Sequence, residues 1–123
     1  MKKEGPKVSN DRMYLLLREG RIEEFNLARD TGNLCDLTGC DFRAVDLRGA
    51  WLNGLDLTDC YFRQSDLRGL NLYNCRMEGA SIHAAHISGT YFPRELSSSE
   101  IRLSLQYGTR MRYSLKYRHP EDE

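Results

Sequence analysis

The chain has 123 residues, enough for one domain, with 18 basic and 18 acidic side chains and a formal net charge of zero. The balance also holds locally, at seven basic to six acidic over 1–34, six to seven over 35–94 and five to five over 95–123, which removes any electrostatic argument for a nucleic-acid or membrane partner. No apolar run approaches the roughly 18 residues of a membrane span, and Met1-Lys2-Lys3-Glu4-Gly5-Pro6 lacks the apolar core of a secretory signal, so a soluble, cytoplasmic protein is expected.

Residues 1–9 are expected to form a disordered tail, and residues 10–34 a helical cap. Ser9 or Asn10 can start a helix that runs to about Glu19 and stops at Gly20. Leu15, Leu16 and Leu17 give it an apolar face broader than an exposed helix needs. A second helix is predicted from Arg21 to about Arg29, with Ile22, Phe25 and Ala28 on one side, before Thr31-Gly32-Asn33 breaks it.

From Cys35 to Arg94 the chain divides into twelve blocks of five: CDLTG, CDFRA, VDLRG, AWLNG, LDLTD, CYFRQ, SDLRG, LNLYN, CRMEG, ASIHA, AHISG and TYFPR. A period of five fits neither a helix nor a strand. The third residue of every block is apolar, and with 40 % of the chain hydrophobic this arises by chance about 2 times in 100,000. First positions are small except at Leu55 and Leu70, half of the second positions are Asp or Asn, and fifth positions are commonly Gly. Cys35, Cys40, Cys60 and Cys75 are spaced by multiples of five and therefore belong to the repeat. They lack the close pair of a zinc cluster and are expected to be four free, buried thiols.

This consensus resembles the pentapeptide-repeat family over residues 35–94. The resemblance implies a mainly β, right-handed, quadrilateral β-helix, a solenoid with one block per side and four per coil. Twelve blocks then make three coils, and residues twenty apart stack. The expected core ladders are Leu37/Leu57/Met77, Phe42/Phe62/Ile82, Leu47/Leu67/Ile87 and Leu52/Leu72/Phe92, with the rings of Phe42 and Phe62 one above the other. Outside, Asp41, Asp46 and Asp66 each precede an Arg by two residues and form solvated pairs.

Residues 95–118 read as a C-terminal cap. Ser97 and Glu100 have capping-box spacing, which favours a helix ending near Gly108. A strand is the alternative, because Ile101, Leu103, Leu105 and Tyr107 alternate. Beyond it Met111, Tyr113, Leu115 and Tyr117 alternate with Arg110, Arg112, Lys116 and Arg118, as in an extended segment that either covers its own last coil or is offered to a partner or a second copy. Residues 119–123 are expected to be a disordered tail.

No trio of nucleophile, base and orienter emerges from the sequence and no phosphate-binding loop, and His83-x-x-His86 has metal spacing only on a helix. No enzyme activity, cofactor or metal is expected. What remains is a protein-interaction or scaffold module whose partner is another protein, with a monomer favoured and a homodimer through the C-terminal segment as the alternative. The candidate contact residues are Trp51, Tyr73 and Tyr91, which share one side of the coil unless residues 101–117 cover it, and Arg110, Arg112, Lys116 and Arg118. The resemblance also suggests a DNA-mimicking regulator of an enzyme such as gyrase. Three coils reach only about 14 Å, and a near-neutral rod is a poor copy of DNA.

Overall fold

In the computed structural model, which describes residues 11–117, the chain opens on two short helices, α1 (Arg12–Arg18) and α2 (Ile22–Asp30). The expected caps Ser9 and Asn10 lie outside the described residues, and Asp11 takes the role. Its carboxylate accepts from the amides of Met13 at 2.8 Å and Tyr14 at 3.4 Å. Asp11 directly precedes the first helical residue, and a negative group also suits the positive end of the helix dipole. Met13, Tyr14, Leu16 and Leu17 of α1, with Phe25 and Ala28 of α2, bury their side chains toward the repeat.

Each block but the last is extended through its second and third residues and turns at its fourth and fifth, while after TYFPR the turn comes one residue later. The amide of the next first position closes the turn onto the third-position carbonyl, as from Val45 to Phe42 at 3.2 Å and from Ser65 to Phe62 at 3.0 Å. In every block but those ending at Asn74 and Arg94 the fifth residue sits third in that turn with positive φ, 82° at Gly49 and 60° at Ala44. A type II turn requires this conformation, which accounts for the recurrent glycine.

Six parallel bridges connect the blocks, Asp41–Tyr61, Asp46–Asp66, Asp56–Arg76, Tyr61–Ser81, Asp66–His86 and Asn71–Tyr91, each between residues twenty apart. The chain therefore stacks in three layers, 35–54, 55–74 and 75–94, of four blocks each. We call the vertically aligned blocks columns: the first begins at Cys35, the second at Cys40, the third at Val45 and the fourth at Ala50. Every bridge is one residue long, and the described residues contain no longer strand and no sheet. A five-residue block leaves only two extended residues before its turn, so the strand character implied by a mainly β fold is confined to isolated rungs.

The core follows the expected register. Leu37, Leu57 and Met77, then Phe42, Phe62 and Ile82, are buried, as are Leu47, Leu67, Leu52 and Leu72, while Ile87 and Phe92 of the last layer are half-buried. The Phe42 and Phe62 rings stack with centroids 5.5 Å apart and planes within 7°, and Tyr14 extends the stack at 5.3 Å. The small first-position residues do more than save space. Cys60 Sγ donates to the Leu37 carbonyl at 2.9 Å, Cys75 Sγ to Leu52 at 3.1 Å and Thr90 Oγ1 to Leu67 at 2.6 Å, each reaching 23 residues back along the chain.

Both ends of the stack present backbone groups that a further layer would otherwise satisfy. At the first layer, side chains of the helices do this. Tyr14 Oη donates to the Asp41 carbonyl at 2.7 Å, Arg18 Nη1 to Arg43 at 3.0 Å, Asn26 Nδ2 to Gly49 at 3.0 Å and Arg29 Nη2 to Asn53 at 3.1 Å. At the last layer the cover comes from α3 (Ser98–Tyr107) and the segment after it. Ser97 Oγ caps α3 by accepting from the Glu100 amide at 3.1 Å, and Gly108 ends the helix at φ 74°. The helical reading of this region holds, but the capping box is half made, because Glu100 Oε1 accepts from the Arg112 amide instead.

Ser104 Oγ accepts from the Ile82 amide, Tyr113 Oη from Met77, and the Leu105 and Met111 carbonyls from Ala84 and Gly79. The alternating stripe after α3 holds only in part. Met111 is buried and Tyr113 half-buried, but Leu115 is 77 % exposed, because Leu115–Tyr117 winds into a single 3-10 turn. That turn has a three-residue period, which destroys strand alternation. The tails expected over 1–9 and 119–123 lie outside the described residues.

Candidate functional site

The columns share one core and differ in what they show outside. In the second and third columns the acidic second position and the basic fourth position of a block close on each other. Arg43 grips Asp41 with Nε–Oδ1 at 2.9 Å and Nη2–Oδ2 at 2.7 Å, and Arg48 with Asp46 and Arg68 with Asp66 repeat the fork. Arg48 also reaches Asp66 in the next layer at 3.3 Å, so the third column is a charged ladder. The Asp46–Arg48 pair is solvated as expected, whereas Asp41 is buried and the Asp66 side chain only 12 % exposed beneath half-exposed arginines. The hydrogen bonds from Arg68 hold the Asp66 carboxyl down at about 2, and those from Arg43 and Arg48 lower Asp41 and Asp46.

The fourth column is different. Its blocks AWLNG, LNLYN and TYFPR contain a single charged residue, Arg94. Trp51 is 51 % exposed, Tyr73 49 % and Tyr91 67 %. The structure places all three predicted aromatics on this column, and α3 with the segment after it leaves them open. Asn53, Asn71 and Asn74 share the surface with them. The result is a face of aromatic rings and amides, with neither charge repulsion nor an ion pair to undo before contact.

The predicted basic residues do not join that face. Arg110 lies over the Tyr61 ring at 5.3 Å, donates to Tyr61 Oη at 2.7 Å and pairs with Asp59 at 3.1 Å. It ties the C-terminal segment to the second layer and is no free cation. Arg112 is exposed beside α3, Lys116 sits 5.0 Å from the Tyr117 ring, and Arg118 lies outside the described residues. A cleft of about 570 Å³, lined by Tyr73, Arg76, Arg94, Tyr113 and Tyr117 among others, separates the C-terminal segment from the fourth column. Burial pushes the Tyr113 hydroxyl above its ordinary value and outweighs the hydrogen bond it accepts from the Met77 amide, which acts the other way.

Sequence reasoning passed over Asn26 and Arg29, which hold the backbone of the fourth column from α2. It did carry one pointer to this place, since Leu70 is a large residue at a first position that is small in ten of the twelve blocks. His83 and His86 stand in different columns, and among the described residues no group of three or more His, Cys, Asp or Glu is placed to hold a metal ion. Burial raises the thiols of Cys35 and Cys60 to about 12 and that of Cys75 in the same direction, so these groups stay protonated and unreactive at neutral pH. No helix among the described residues is long and apolar enough to cross a membrane.

A family model described as pentapeptide repeats matches the chain in eight copies, over residues 33–59, 40–79 and 56–92. No curated protein and no solved structure matches it.

Proposed function

Because the chain belongs, over residues 33–92, to the pentapeptide-repeat family, we propose that its three layers are the coils of a right-handed, four-sided β-helix serving as a non-enzymatic protein-interaction module. The observation that carries this reading is the fourth column. Trp51, Tyr73 and Tyr91 stay about half exposed or more on a face almost without charge. Large amphipathic rings supply contact area at low entropic cost and dominate the energetics of interfaces. The charged columns, whose Asp and Arg side chains already satisfy each other, offer a partner much less.

The C-terminal segment belongs to the scaffold in this reading. Met111 exchanges backbone hydrogen bonds with Gly79 and Ala80, at 2.7 and 2.8 Å, and thereby occupies the edge that a second copy would otherwise use. This supports a monomer. Cysteines outside disulfides, three buried and Cys35 half-buried where four buried ones were expected, suit a reducing compartment such as the cytoplasm. The DNA-mimic alternative is weakened by the same features that argued against it in the sequence, three short layers and paired rather than accumulated charge.

The test is affinity capture from the native host with the full chain, its Trp51→Ala, Tyr91→Ala double variant and an Arg112→Ala control. A partner retained by the wild type and the control but lost with the double variant is the expected result. Loss with Arg112→Ala alone would overturn the assignment of the face.

A further inference from the structure

We infer that the fourth column takes an extended, uncharged peptide segment of the partner, laid along Trp51 and hydrogen-bonded to the backbone of Asn71. This deepens the interaction reading above and rests on it.

The inference starts from a missing rung. In the second and third columns the second-position residue of the middle layer spends both backbone groups on the first layer. Tyr61 donates to the Cys40 carbonyl at 3.0 Å and accepts from Phe42 at 2.8 Å, and Asp66 donates to Val45 and accepts from Leu47, both at 3.0 Å. Asn71 is the equivalent residue in the fourth column. Its N–H and C=O have no partner toward the first layer among the described residues, a gap shared by Asp56 of the first column, which is itself charged.

The groups that should have met Asn71 are engaged elsewhere. The Ala50 carbonyl and the Leu52 amide bond to each other at 3.1 Å instead, and toward α2 the Trp51 amide donates to Asn26 Oδ1 at 2.8 Å. Together with the Asn26 bond to Gly49 and the Arg29 bond to Asn53, this gives α2 three holds on residues 49–53, all directed away from the middle layer. Leu70, 4 % exposed, fills the space behind with a bulk that ten of the twelve first positions lack. A cleft of about 280 Å³ is left between Gly49–Asn53 and Gly69–Asn71, with the Trp51 side chain on its wall.

The chemistry of this cleft selects its occupant. A donor and an acceptor on one extended residue are the pair that a single residue of another strand engages, as in strand addition to a sheet edge. Gly49 and Gly69 carry no side chains to keep an incoming backbone away. Trp51 offers an apolar platform, and none of the cleft-lining residues is charged, so a charged segment would lose hydration without compensation. A peptide with an apolar or aromatic residue over Trp51 and a free backbone N–H opposite Asn71 fits these demands.

Panning a random dodecapeptide phage library against the full-length protein tests this, with the enriched peptides resynthesised and titrated. Uncharged binding stretches are expected, weakened at least about tenfold by Trp51→Ala and unchanged by Arg68→Ala. Methylating successive backbone nitrogens of the peptide itself should reveal one position at which affinity falls at least about tenfold, a readout independent of how well any variant folds. Absence of enrichment, binding indifferent to Trp51→Ala, or a flat methylation scan would overturn the proposal, as would selective binding of neutral oligosaccharides at Trp51 in place of peptides. The interaction reading fails separately: a cellular partner that needs Trp51 and Tyr91 while no peptide binds sinks only the peptide mode.

Discussion

The third and fourth columns carry the same core and opposite exteriors. Leu47 and Leu67 behind the one, and Leu52 and Leu72 behind the other, are all buried in the same register. Outside, the third column closes its rungs and neutralises itself through Asp46, Arg48, Asp66 and Arg68, whereas the fourth exposes Trp51, Tyr73 and Tyr91 and leaves a rung unmade. In a layered repeat the inward positions fix stability, and the outward ones are free to vary by column. Function is therefore sought where outward residues do not engage one another.

The largest expected effect comes from what the two columns share. Leu67→Asp and Leu72→Asp each place an uncompensated carboxylate at a fully buried site, at a cost of at least about 3 kcal/mol. For a domain of this size that is a large fraction of total stability. Both variants should lose the cooperative thermal transition seen by circular dichroism. A near wild-type melting temperature for either would break the equivalence of the columns and the register with it.

Acid separates the columns at an intermediate scale. The folded pKa of Asp66 is depressed to about 2 by its bonds from Arg68, against an ordinary value of 3.8. Its stabilisation is therefore fully present above about pH 4 and is lost as pH falls toward 2. The half-exposed Arg68 limits the pair to about 1 kcal/mol. Asp66→Asn should lower stability at pH 7 by about that amount and flatten the loss between pH 4 and pH 2, as read from urea midpoints across pH. An unchanged acid limb would remove the ladder from the account. The smallest effect is expected on the fourth column. Tyr91→Ala and Tyr73→Ala should each change stability by no more than about 0.5 kcal/mol while impairing partner capture, and a larger loss of stability would mark these rings as structural.

Much of this architecture is legible in the sequence, because period and position carry it. The third-position ladder, the Phe42–Phe62 stack, the two N-terminal helices and the Ser97-capped α3 follow from local pattern and residue size. The failures share a cause, which is that distant parts of the chain decide them. Arg110 looks like a free basic edge until the fold brings Tyr61 and Asp59 beneath it. Leu115 reads as strand-like until the Ser114 amide bonds to the Glu95 carbonyl at 2.9 Å and the chain winds up. The holds of α2 on residues 49–53 need Asn26 and Arg29 to reach across the fold, and no pattern within residues 50–71 records that. Trp51, Tyr73 and Tyr91 were visible as a group because residues at multiples of twenty, or within one block, share a column once the period is known.

Amide hydrogen exchange at Asn71 and Asp66, equivalent residues of neighbouring columns in one layer, tests the central contrast most directly. Asp66 donates across the layers to Val45, whereas Asn71 has no acceptor among the described residues. The Asp66 amide should exchange only through opening of the stack, and the Asn71 amide at least about a hundredfold faster after correction for intrinsic rates. Equal protection at the two amides would mean that the fourth column is closed like the third, and would contradict the account.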